Sequence, residues 1–471
     1  MLLATVLVWT VGCDREPTVP PPPNQPDLVL FLADGLRDGA GSLGTAAQAF
    51  RAALALDGRR QYTDAYTQSI DPHVALGALV TGRYPSAIPL CGRPRLLDGD
   101  TSEPWCLGIP DPVRTLPEVL GYYGYQPAFY SARPPTHPSI TRGFGASGLA
   151  DTNLEDGGVP ALHDAARAWW DAHADGPRLL VVQVPLALGA LVPLIQATDE
   201  GALALAWERD RSEPIANTDP ARYKSAYGGA TDGWAAVEEA YVATAADAGR
   251  AFRALLEDLP AAPDRPRWVV TTSLQGVSLG DFSGTEHPEQ IVPGRAKLLL
   301  ERTAHVPLDL YDPGGTEAIV HRPVQLVDLA PTFYTLAGAV APVGAAGHDL
   351  LGPTPPTPSA YAEFGDMLLL RQGPDLITFR AERHGTSSLS PTLTEALLHP
   401  ASAPRPVTWR LSRVTTDPLQ REDRSQVDTA TAATLEASLI DIRRGIGAPP
   451  PEALTPEHTK QLQEMRAKGY W

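Results

Sequence analysis

Uninterrupted apolar runs alternate along this chain with segments in which apolar residues recur every three to four positions. Asp27 to Leu32 (DLVLFL) is apolar after its first residue, the pattern of a strand buried on both faces. Ala46 to Leu56 has helical spacing, and Tyr62 to Pro85 begins as strand and turn before a short helix closed by Thr81-Gly82-Arg83-Tyr84. Further helices are predicted at Leu116 to Tyr123, His163 to His173, Ala235 to Leu259 and Val327 to Ala337. Strands are predicted at Pro127 to Tyr130, Arg178 to Val184, Arg267 to Thr272 and His305 to Leu310. This order predicts an α/β fold, a mostly parallel sheet flanked by helices.

From about Ser359 the pattern changes. Tyr361 to Glu363, Leu376 to Arg380 and Thr408 to Arg413 read as short strands, and Thr429 to Arg444 as a helix. They predict a smaller C-terminal α+β subdomain. A last helix is expected from the capping residue Thr455 and Pro456 to Gly469. The organisation expected is a leader and Pro-rich linker at 1–25, an α/β domain at 26–352, the α+β subdomain at 353–445 and a helical tail at 446–471.

Composition changes this picture little. The chain has 471 residues, 43% of them hydrophobic, enough for a large core despite 41 Gly and 48 Pro. A formal charge of -17 disfavours nucleic acid, whose binding rests on Lys and Arg against phosphate. The cysteines are more informative. Cys13 ends the apolar run Leu2 to Gly12 and resembles the lipidated cysteine of a bacterial lipoprotein signal, although Thr10 stands where leucine is usual. The run is too short to span a bilayer. The location expected is the bacterial cell envelope, on the periplasmic or outer surface, with the membrane met through a lipid anchor. Cys91 and Cys106 then remain, either a disulfide pair or two unrelated thiols.

Taken in order, several segments resemble the sulfatase family of the alkaline-phosphatase superfamily. They are Asp27 to Arg37, the Thr81-Gly82-Arg83-Tyr84-Pro85 run, Gly124-Tyr125 through Arg142-Gly143-Phe144, and Tyr241 to Leu256. His305-Val306-Pro307-Leu308, Val327 to Thr332, Thr416-Asp417-Pro418 and Lys468-Gly469-Tyr470 complete the set. The resemblance implies an alkaline-phosphatase/sulfatase-like fold and a hydrolase of sulfate or phosphate esters. It also implies a calcium or another divalent cation, and a sulfated or phosphorylated ligand.

The chemical positions depart from that pattern. Where the family has its nucleophile stands Pro72, and the nearest other candidates are Ser69, Thr67 and the possible base His73. Asp71 reads as a helix N-cap with proline at the first helical position. Of the family's first metal aspartates Asp34 remains, followed by Gly35, and Ser273-Leu274-Gln275-Gly276 fills the second metal motif. Leu274 has no side-chain oxygen and Gln275 offers one neutral oxygen, too little charge for a hard cation. The family's first lysine is missing near Tyr130-Ser131-Ala132, and Lys297 lies about one residue out of register for the second. The expectation is a non-catalytic sulfatase-like lipoprotein that acts by binding, with no cofactor. The alternatives are an active hydrolase with a rearranged site drawing on Asp38, Asp64, Asp71 or Asp281, and a structural envelope protein.

Overall fold

The computed structural model describes residues 25–88, 91–92, 105–106, 108–132, 137–149, 158–186, 232–277, 279, 299–365, 367–381 and 407–446. The strands are β1 (Asp27–Asp34), β2 (Arg59–Tyr66), β3 (Cys91–Gly92), β4 (Trp105–Cys106), β5 (Gln126–Ser131), β6 (Ala146–Leu149) and β7 (Arg178–Pro185). They continue as β8 (Arg267–Thr272), β9 (His305–Tyr311), β10 (Ala318–Gln325), β11 (Ser359–Phe364), β12 (Met367–Gln372), β13 (Asp375–Ala381) and β14 (Val407–Arg413). The helices are α1 (Thr45–Leu54), α2 (Pro72–Thr81), α3 (Leu116–Tyr122), α4 (Gly158–Ala172), α5 (Asp232–Asp258), α6 (Glu301–Ala304), α7 (Leu329–Ala337) and α8 (Thr429–Gly445).

Eight strands form the main sheet in the order β10-β2-β9-β8-β1-β7-β5-β6. Its pairings are parallel except where β9 meets β2 and β8, so the expected mostly parallel sheet is present. The apolar run of β1 explains why this strand lies inside the sheet. Leu28, Leu30 and Leu32 join one core with α2, α3 and α7. Val29, Phe31 and Ala33 point the other way, into a second core with α1, α4 and α5. Phe31 stacks on Phe252 of α5 at 4.3 Å between centroids. The same helix approaches α1 so closely that a Cβ on Gly249 would meet the Phe50 carbonyl oxygen at 2.5 Å.

Strands β11-β12-β13-β14 form a separate antiparallel sheet. One face packs on α8 through Leu368, Leu370, Phe379, Leu435 and Leu439. The other meets Tyr66 and Ile70 of the main domain through Ala360, Ala362, Met367 and Leu369. A buried ion pair of Arg443 with Glu363, at 2.8 Å, fastens α8 to β11. Burial raises the Glu363 pKa, with Arg443 opposing that rise.

Five strands escape the sequence reading: the two-residue β3 and β4, and β6, β10 and β12. β10 contains Pro323, which is tolerated because the strand lies at the sheet edge and carries a register shift between Val320 and Pro323. The predicted helix from Val327 begins as a 3-10 turn at Leu326–Asp328 before α7. The predicted leader and the helix from Thr455 lie outside the described residues, and no described helix is long and apolar enough to cross a membrane.

Candidate functional site

Parallel strands deliver their last residues to one edge of the main sheet, where ligands of open α/β folds collect. β1 ends there in Asp34, and Gly35 turns the chain with φ of 89°. The loop that follows is held from three sides. Tyr241 of α5 donates its hydroxyl to the Gly35 carbonyl at 2.7 Å and accepts the Arg37 N–H at 2.9 Å. Ser273 Oγ accepts the Leu36 N–H at 3.2 Å, and the His305 carbonyl accepts the Asp38 N–H at 3.1 Å.

The Asp34 carboxylate is buried and already engaged. Gln183 of β7 donates Nε2 to Oδ2 at 2.5 Å, and the Leu274 N–H points to Oδ1 at 3.3 Å. Ser131, at the end of β5 where the family's lysine is missing, donates to Gln183 Oε1 at 3.0 Å and fixes that amide. N–H donors thus meet a carboxylate that would face a cation in a metal site. Leu274 turns its side chain into the hydrophobic core and offers the site only its backbone. Gln275 is buried after the tight turn that Ser273 closes by donating to the Gln275 carbonyl at 2.6 Å.

Among the described residues no group of three or more His, Cys, Asp or Glu is placed to hold a metal. Calcium takes six to eight oxygens, several of them charged. Asp34, Gly35, Leu274 and Gln275 do not fit that requirement. Lys297, Asp281 and Cys13 lie outside the described residues.

At the nucleophile position the local signals fold as they read. Asp71 sits in extended conformation ahead of α2 and accepts the N–H groups of His73 at 2.9 Å and Val74 at 3.3 Å. Pro72 occupies the first helical position. A helix N-terminus free of such a side chain would present those donors to an anion. Here the chain's own carboxylate takes them. Ser69 is buried, and its Oγ accepts the Asp71 N–H at 3.2 Å, while Thr67 donates to the Ser69 carbonyl at 2.9 Å. His73 is half-buried on the first turn. Replacing Asp71 by alanine is expected to cost about 1 kcal/mol of stability, measured by urea unfolding, as the two N–H groups lose their acceptor.

The strongest electrostatics lie beside this edge, in residues that the sequence reading did not single out as a group. His305, fully buried at the start of β9, faces Glu301 Oε1 with Nδ1 and the Thr63 carbonyl with Nε2, each at 2.8 Å. With Glu301 ionised, both contacts call for an N–H on the ring, the arrangement that suits an imidazolium. Burial alone would lower its pKa, but Glu301 outweighs that, with help from Asp38 and Asp64, and the net shift is upward. Glu301 Oε2 accepts the Tyr66 hydroxyl at 2.8 Å, and Tyr66 accepts Arg371 Nε at 3.0 Å. Arg371, on β12 of the second sheet, also donates to Asp64 at 2.9 Å. Arg51 of α1 bridges Asp38 at 2.6 Å and Asp309 at 2.8 Å. The described carboxylates that would supply a rearranged site therefore have other partners: Asp38 has Arg51, Asp64 has Arg371, and Asp71 has its own helix.

Cys91 and Cys106 face each other in backbone register across β3 and β4.

No family model matches this sequence, and no curated protein matches it. Solved structures do. A 2-O GAG sulfatase is 15% identical, covering 89% of this chain and 92% of its own, with a TM-score of 0.60. A putative sulfatase from Bacteroides thetaiotaomicron is 14% identical over 88% of this chain and 92% of its own, with a TM-score of 0.59. The phosphonate monoester hydrolase of Agrobacterium radiobacter is 15% identical over 90% and 96%, with a TM-score of 0.57. At low sequence identity, this chain shares the fold of these sulfatases and of the phosphonate monoester hydrolase.

Proposed function

We propose that this chain is a sulfatase-fold protein that has lost ester hydrolysis and acts by binding, exported and anchored in the bacterial cell envelope through a lipid on Cys13. The observation that carries the reading is the N-terminus of α2. Asp71 supplies an intramolecular anion to the His73 and Val74 N–H groups, and Pro72 offers neither a nucleophile nor a donor. A sulfate or phosphate approaching this position meets a carboxylate instead of free N–H groups. At the other half of the site, Asp34 is bound by Gln183 and the Leu274 N–H. Losing the nucleophile and the metal ligands together is not offset by what remains, because groups that act as a unit fail as a unit.

Metal analysis of the purified protein beside 4-nitrophenyl sulfate, phosphate and phosphonate assays tests this. The expected result is no stoichiometric divalent cation, and turnover at the rate of buffer alone for both the wild type and Asp34→Ala. Bound calcium together with turnover that Asp34→Ala abolishes would replace this reading with an active hydrolase whose remaining ligands come from elsewhere in the chain.

A further inference from the structure

We propose that Cys91 and Cys106 form an intramolecular disulfide. The two cysteines lie directly opposite each other in an antiparallel pair, with Gly92 opposite Trp105 as the other rung. Opposed residues of such a pair have Cα atoms about 4.5 or 5.5 Å apart, according to whether the pair is hydrogen-bonded. Both separations fall inside the range that a disulfide spans, about 4.4–6.8 Å.

Strand pairing alone would hold these two positions weakly. β3 and β4 have two residues each, and an isolated two-stranded hairpin is marginal even when its strands are much longer. Residues 93–104, RPRLLDGDTSEP, separate the two strands along the sequence and contain two prolines and a glycine. The base, by contrast, is well fixed. Ile88 and Ile109 are buried in the same core, and the Ile109 N–H donates to Ser139 Oγ at 2.7 Å. A covalent bond between the paired positions restricts the unfolded chain more than two rungs of ladder can.

The chemistry balances as an oxidation. Each cysteine gives up a proton and one electron, and the sulfur–sulfur bond forms. The two electrons and two protons pass by thiol–disulfide exchange to a disulfide-bearing oxidant, which leaves as a dithiol. Such oxidants act outside the reducing cytosol, so the bond forms in a chain that has been exported. This inference does not depend on whether the sheet edge is catalytic.

Tryptic mapping of the full chain, secreted into an oxidising compartment and alkylated under denaturing conditions without reductant, decides it. Cleavage after Arg83, Arg95 and Arg114 places Cys91 in the peptide 84–95 and Cys106 in 96–114. The expected result is one species holding both peptides, lighter than their sum by two hydrogens, that separates on reduction. The same chain retained in the cytosol should instead give both peptides alkylated. In native protein, Cys91→Ser with Cys106→Ser should speed tryptic cleavage after Arg95 by about tenfold or more, because no crosslink then restrains local unfolding of this part of the chain. Recovery of both peptides alkylated from the secreted protein overturns the proposal. So does a crosslink of either peptide to the segment carrying Cys13.

Discussion

Replacing Arg51 by methionine is expected to cost about 3–5 kcal/mol of stability, read as a fall in the urea midpoint. The guanidinium is buried between Asp38 and Asp309 and is the positive charge that bridges both. Burial works against its charge, yet the two carboxylates outweigh that and raise its pKa. Burial also pushes the Asp309 pKa upward, while Arg51 holds it down. Removing Arg51 leaves two buried carboxylates near each other without their bridge. The sign with pH follows. A carboxyl whose folded pKa is raised binds its proton more tightly in the folded state, so its penalty is absent at low pH and grows as pH rises through the folded pKa. Without Arg51 that pKa rises further, and the variant's deficit should shrink as pH falls from 7 toward 5. Adding Asp38→Asn and Asp309→Asn to the methionine variant should recover more than half of the loss, because a neutral set has no unpaired charge to bury. A methionine variant within about 1 kcal/mol of the wild type would show that water reaches the carboxylates, against their burial in the structure.

What the sequence made legible divides by how far apart the responsible residues lie. The cap on α2 was readable because Asp71, Pro72 and the N–H groups it meets are neighbours along the chain. β1 and β7 were readable because burial on both faces leaves an uninterrupted apolar run, and their alternate residues do divide between the two cores. The six residues of β12 carry a similar run, Met367 to Leu370, but what covers each face is remote. Leu368 and Leu370 meet α8, whereas Met367 and Leu369 meet Tyr66 and Ile70. A run of four apolar residues does not by itself separate a strand from a turn of helix.

The site divides in the same way. The departures from the family pattern at Pro72, Gly35 and Leu274 were visible in the sequence. The contacts made there were not. Gln183 lies 149 residues from the aspartate it binds, and Leu274 lies 240 residues from it. Asp38 and Asp64 were read as available oxygens, but sequence cannot show that a buried arginine already holds each. The Glu301–His305 spacing was a possible signal, since residues four apart share a helix face. Here α6 ends at Ala304, so His305 meets Glu301 from the first residue of a strand. Tyr66 and Arg371, which make the pair a network, come from 235 residues before Glu301 and 305 residues after Tyr66.

That network should make stability fall on the alkaline side of neutrality. His305 is faced by Glu301 from α6, by Thr63, Asp64 and Tyr66 from β2, and by Asp38 from the loop after β1. Its folded pKa is raised above the ordinary histidine value of about 6.5. A raised histidine contributes stability that is fully present below the unfolded pKa and is lost as pH rises through the folded one. The wild type should therefore lose stability above neutral pH as the ring gives up a proton and one of its two acceptors is left without a donor. His305→Leu removes the cation outright and leaves Glu301 buried with Tyr66. The expected cost is about 3–5 kcal/mol at pH 6, narrowing as pH rises and the wild type loses the same interaction. Because Tyr66 passes the charge chain to Arg371, the loss should also loosen the second sheet from the main one. Hydrogen exchange of β11 and β12 should accelerate in the variant, with less change in β1 and β7, which lie across the main sheet. Parallel pH profiles for wild type and His305→Leu between pH 6 and 9 would mean that His305 is not an imidazolium, and the hydrogen bond to Glu301 or to Thr63 would then have to be reassigned.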